Sequence, residues 1–220
     1  MEKLQIQAIG EPVWLPEKET FEYKEESVKV VAVLKAIRAA QGIKSLCLLC
    51  ENGLFIDMGA IYRCVFDCSA EIYFLLEKYP EASIDVKKFI KAFFETTIDG
   101  YLNVKTEQVL SKKIHNAMVR AVTGLNQDEK TRVRIINIYR TFCGYIHANY
   151  AHIMEIYGGT PQNFKLQGVP SVLLRERNMQ LVEQAYLTVL NSIWFIALKF
   201  GLKDLSREVM RVTLDQESES

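Results

Sequence analysis

The sequence predicts an all-α fold, an antiparallel bundle of about five to six long helices with one long loop at about residues 158–173. Three observations predict it. Apolar residues recur at helical spacing from about Glu26 onward. No strand-period alternation runs longer than a few residues. Turn material is scarce, with 11 Gly and 5 Pro in 220 residues, so connections are short. There is no internal repeat and no low-complexity tract. The chain divides into an irregular acidic extension (residues 1–27), one helical domain (28–212) and a disordered polar tail (213–220). Trp14 and Phe21 are the residues expected to pin the extension to the body.

Each helix has a start or stop signal. Residues 28–50 are helical and end at Glu51-Asn52-Gly53, with Gly at C′. Residues 54–79 form the next helix, closed by Pro80. Ser83 caps a helix to about Thr97, and Asp99-Gly100 turns the chain. Thr106 caps a helix to about Val122. Asn126 with Glu129 reads as a capping box, and the helix it starts meets no breaker before Gly158-Gly159. Residues 163–167 suit a short strand within the long loop. Residues 174–201 form the last long helix, and 202–211 a short one.

Composition bounds function. Lys+Arg and Asp+Glu are both 27, which excludes a bulk electrostatic nucleic-acid coat but leaves room for a local basic patch. Five cysteines, and an N-terminus without a basic start and apolar run, point to reduced thiols in the cytoplasm. The longest apolar stretch, residues 185–200, falls short of the ~20 residues that span a bilayer. It reads as a buried core helix, and no membrane association is expected.

Two helices look packed on both sides. In 126–157, Ile135, Ile138, Tyr139, Phe142, Ile146, Tyr150 and Ile153 form the core stripe. The opposite face carries Arg140, Gly144, His147, Ala148, Ala151 and Met154 where a surface helix would be charged. In 54–79, Met58, Ile61, Tyr62, Val65, Ile72 and Leu76 oppose Gly59, Ala60, Arg63, Asp67, Ala70 and Glu71. The economical expectation is one semi-buried polar site, with Arg63, Asp67 and Glu71 supporting Arg140 and His147. The alternative is an intrahelical Arg63–Asp67 pair on an open surface.

Arg140, six residues, then His147 resembles the signature of HEPN-like all-α domains, which is Arg, four to six residues, His. The segment also resembles those of small uncharacterised bacterial helical proteins with a Tyr-Arg…Cys…His…Tyr pattern. The HEPN resemblance implies RNA as partner and a homodimer whose two motifs share one cleft. It also implies a metal-independent endoribonuclease of a toxin–antitoxin or phage-defence system, with a cognate antitoxin or regulatory protein as a further partner. Thr141 follows the Arg where members frequently carry Asn, Asp or His. That departure leaves an inactive, nucleotide-binding or regulatory relative open, and beside it a non-catalytic interaction or ligand-sensing module.

The chemistry fits the residue types. Cleaving RNA without a metal takes a base for the 2′-OH, an acid for the leaving oxygen and a cation for the phosphorane. Histidine titrates near neutrality and serves as base or acid. Arginine stays charged, and its fork matches phosphate oxygens. Asn149 and His152 are helpers in this scheme, and Tyr150 is structural. The alternative for His147 is a satisfied interior histidine. Residues 105–140 hold eight bases and three acids, with Lys112, Lys113, Lys130 and Arg134 as the phosphate-binding patch, or else a solvated basic face. His115 reads as surface.

No cofactor or metal is expected. Cys47/Cys50 and Cys64/Cys68 sit within apolar helical runs rather than polar knuckles. No Gly-Lys-Ser/Thr loop or Gly-x-Ser-x-Gly elbow occurs.

Overall fold

The computed structural model describes residues 1–95, 109–123 and 129–219. Its opening elements are α1 (Glu2–Ala8) and a hairpin of β1 (Val13–Leu15) and β2 (Thr20–Glu22). Then come α2 (Val28–Glu51), α3 (Phe55–Leu76), α4 (Ile84–Glu95), α5 (Ser111–Thr123) and α6 (Glu129–Ile146). A short α7 (Tyr150–Met154) precedes a second hairpin of β3 (Tyr157–Gly158) and β4 (Asn163–Phe164). The chain closes with α8 (Val172–Lys199) and α9 (Lys203–Glu219). The all-α class is as the sequence predicts.

α3 is the axis of the bundle, packed by α2, α5, α6 and α8. Met58, Tyr62, Val65, Ile72 and Leu76 are buried on one side, and Gly59, Arg63 and Ala70 on the other. The two-sided reading of this helix therefore holds within a single chain. α8 is long and apolar enough to cross a membrane, by length and composition. It packs on α2, α3 and α9 and buries Val182, Ala185, Val189, Ile193, Ile196 and Ala197.

Caps explain the boundaries. Ser27 accepts from the Val30 N–H and Ser171 from the Leu174 N–H, starting α2 and α8. α2 and α8 both stop on a left-handed glycine. The Gly53 and Gly201 N–H groups reach the Cys50 and Leu198 carbonyls, and those of Leu54 and Leu202 reach Leu49 and Ala197. Gly53 does more than turn the chain. It takes the Val169 N–H on its carbonyl at 3.0 Å, and a Cβ on Gly168 would overlap the Asn52 carbonyl oxygen. Two facing glycines thus let the long loop lie against the α2–α3 turn.

The expected single helix up to Gly158 is not formed. It ends at Ile146 in the same two-bond cap, with Ala148 at φ +49 donating to Tyr145 and Asn149 donating to Gly144. The chain then doubles back through α7. Ile146, Tyr150 and Ile153, expected in the core stripe, are consequently exposed, whereas Ile135 and Phe142 are buried.

Other expectations need correction. The N-terminal extension is not irregular, since Leu4 buries α1 against the body. Trp14 and Phe21 do not pin it. They are exposed and pack on each other across the hairpin, ring centroids 4.9 Å apart. α5 starts at Ser111 rather than Thr106; Thr106, Asn126, Thr97 and the Asp99-Gly100 turn lie outside the described residues. α9 runs beyond Arg211 to Glu219, through most of the expected tail. No Gly or Pro follows Gly201, and Leu205, Val209 and Thr213 give α9 a buried stripe.

Candidate functional site

Arg140 and His147 stay on one edge of α6. The His147 N–H donates to the Cys143 carbonyl, so helical geometry continues to that residue. Seven residues make two turns, roughly 10 Å along the axis. Both side chains are exposed. Among the described residues, neither has a hydrogen-bond or ion-pair partner. The packed second face expected for this helix is therefore absent at both positions. Asn149, exposed, lies two residues after His147 and leads into α7.

The rest of the segment builds the corner behind this edge. The His152 ring lies on Gly144, where a Cβ would overlap it, and meets the Tyr145 ring edge-on at 4.1 Å. The buried His152 Nδ1 has no partner among the described residues. The ring is thus a packing element, which sets aside its expected helper role. Gly144 is covered by the chain's own His152, so it is not the seat of a second copy. Tyr145 also covers Gly59 of α3, where a Cβ would overlap the phenol ring. Its hydroxyl donates to the Glu155 carboxylate at 3.0–3.1 Å. Burial, then the Glu155 charge, holds the phenol well above its ordinary value.

The expected support from α3 goes elsewhere. Arg63, only 6% exposed, donates from Nε to Asp67 at 2.9 Å. Its other arm reaches the Tyr139 carbonyl at 3.4 Å and Cys143 Sγ at 3.3 Å, and the guanidinium lies 3.5 Å over the Tyr139 ring. The intrahelical pair exists, with Arg63 buried and Asp67 half-buried rather than on an open surface. His115 is not a surface residue either; it is 9% exposed. Its Nδ1 is 2.7 Å from the Ser111 carbonyl, its Nε2 3.5 Å from Asp67, and its ring stands edge-on to Tyr139 at 4.2 Å.

Glu71 pairs with Lys35 of α2 at 2.6 Å. Burial raises its carboxyl above the ordinary value, against the pull of Lys35. Arg63, Asp67 and Glu71 therefore tie α3 to its neighbours and do not orient Arg140 or His147. The reason is rotational: α6 turns Tyr139 and Cys143 toward α3, which leaves Arg140 outside.

An open groove of about 1040 Å³ separates α6 from the first half of α8. Lys130, Arg134, Asn137 and Thr141 line one wall, and Arg177, Asn178, Gln180 and Gln184 the other. Phe55, Phe142 and Tyr145 contribute aromatic surface to its lining. Arg140 and His147 do not line it. The expected basic patch is split. Lys130 and Arg134 belong to the groove, whereas Lys112 and Lys113 sit in the first turn of α5, and Lys113 is held by Asp85 at 2.7 Å. No sequence signal marked Arg177 or the four amides, because the groove exists only once α6 and α8 are placed side by side. No protein-family model, curated protein or solved structure matches this chain.

Proposed function

We propose that this chain acts on RNA in the cytoplasm as a HEPN-like, metal-independent endoribonuclease of a toxin–antitoxin or phage-defence system. One observation carries the reading. Arg140 and His147 share one exposed helix edge, and neither is engaged by another described residue. The interior Arg63 and His115, by contrast, are bonded within the chain. The absence of disulfides among the five cysteines suits a reducing compartment.

In this reading a neutral His147 takes the proton from a ribose 2′-OH. The 2′-oxygen attacks phosphorus, and Arg140 stabilises the charge on the non-bridging oxygens. The bond to the 5′-oxygen breaks, leaving a 2′,3′-cyclic phosphate. A protonated imidazole supplies the proton to that oxygen. One chain offers one such histidine on this edge, so a second copy supplies the other.

The test is incubation of the full chain with labelled single-stranded RNA in EDTA. Cleavage to cyclic-phosphate ends is expected, and His147→Ala and Arg140→Ala should each lower its rate by about 100-fold or more with unchanged circular dichroism. Intact RNA, or cleavage that survives both substitutions, overturns the reading.

A second reading, a non-catalytic interaction module, is favoured by a different observation. Ile146, within the Arg140–His147 segment, and Tyr150, Ile153, Tyr157, Phe164 and Leu166, which follow it, are all exposed. Surface of that kind marks association.

A further inference from the structure

We propose that the groove between α6 and α8 binds an extended acidic peptide, gripped by Arg134 on one wall and Arg177 on the other. This site is separate from the Arg140–His147 edge and does not depend on the ribonuclease reading.

The charges of the groove are unequally engaged. The two acids that line it among the described residues are occupied within the chain: Glu129 accepts from Nε and a terminal nitrogen of Arg132 at 2.8 Å, and Glu155 accepts from Tyr145. Arg134 and Arg177 have no hydrogen-bond or ion-pair partner among the described residues. Both charges nevertheless act inward. Arg134 opposes the upward shift of the Tyr62 phenol beneath the groove, and Arg177 that of Tyr145.

The walls repeat one pattern. Arg134, Asn137 and Thr141 follow each other on α6 at helical spacing, and Arg177, Gln180 and Gln184 do the same on α8. Each wall therefore presents a guanidinium followed by groups that both donate and accept. Such groups serve a peptide backbone, which carries a donor and an acceptor at nearly every residue. Guanidiniums serve carboxylates.

Spacing sets the ligand. Asn178, the neighbour of Arg177, lines one small cavity with Tyr145, which lies three turns beyond Arg134 along α6, roughly 16 Å. An extended chain advances about 3.3 Å per residue. Two acidic side chains about five residues apart therefore meet both guanidiniums. RNA fits less well. Phe55 and Phe142 are buried, the half-buried Tyr145 ring already packs on Gly59, Phe142 and His152, and two unengaged cations among the described residues are few for a polyanion.

The experiment is fluorescence anisotropy on the full chain with labelled decapeptides of Ser, Gly and Tyr carrying two glutamates. Glutamates five residues apart should give saturable binding. Adjacent glutamates, Arg134→Ala and Arg177→Ala should each weaken it about tenfold. Arg207→Ala, an exposed arginine on α9, should leave it unchanged. The proposal is overturned if the spaced peptide does not saturate below about 1 mM, if spacing has no effect, or if both arginine variants bind as wild type. It is equally overturned if a ten-nucleotide oligouridylate binds more tightly than the spaced peptide and displaces it. RNA cleavage reads Arg140 and His147 alone, so either proposal can fail without the other.

Discussion

Ala148 ends α6 in the left-handed region at φ +49, where a side chain costs about 1–2 kcal/mol. The equivalent positions after α2 and α8 are Gly53 and Gly201. Ala148→Gly removes the clash and adds unfolded-chain entropy, so it should stabilise by about 1 kcal/mol net, read as a higher urea midpoint with unchanged slope. The reverse holds four residues earlier. A Cβ on Gly144 overlaps the His152 ring, and Gly144→Ala should cost about 1–3 kcal/mol. If that overlap is the cause, His152→Ala should recover much of the loss in the double variant, whereas additive losses would place the strain elsewhere. Glu71 makes a pH prediction. Its folded carboxyl keeps its proton above the ordinary 4.5 because burial outweighs Lys35. The native state then holds more protons than the unfolded state just above that value, so this group's contribution falls as pH rises through the folded pKa. Denaturation from pH 4 to pH 8 should show Glu71→Gln gaining stability relative to wild type.

At the scale of elements, legibility followed the chemistry of the ends. α2 and α8 were readable because Ser27 and Ser171 cap them and glycines stop them. α6 was overrun because its stop is an alanine, and no composition rule marks Ala as a breaker. That one misreading moved Ile146, Tyr150 and Ile153 from core to surface. The two-sided burial of α3 was legible, since Gly59, Ala60 and Ala70 interrupt what would otherwise be a charged face. His115 was not. Its sequence neighbours Lys112 and Lys113 are solvent residues, and one of its two polar contacts, Asp67, lies on α3. The fold-back of α7 makes its own prediction. Tyr145 links it to α6 through the Glu155 carboxylate and to α3 through Gly59. Tyr145→Phe keeps the ring packing and removes only the charged hydrogen bond. Amide exchange should then quicken in residues 150–156 while α3 stays protected, a pattern expected of local rather than global opening.

For the whole molecule, the bundle was legible and its surface was not. Periodicity shows which residues avoid water, but the groove needs α6 and α8 in place, and the exposed rim needs the turn at 147–149. That rim follows directly on the candidate catalytic edge. Tyr150 and Leu166 there are 80% and 78% exposed. If two copies meet there, each brings its Arg140–His147 edge to a shared margin, and one phosphodiester faces two imidazoles. Association and cleavage then become one property with two readouts. Light scattering should show a dimer for the wild-type chain. Tyr150→Glu with Leu166→Glu should give a folded monomer, because four introduced carboxylates would be forced together across the contact. The same variant should lose RNA cleavage although Arg140 and His147 are untouched. A monomeric wild type removes the shared margin, and a variant that is monomeric yet fully active shows that one edge suffices without its copy.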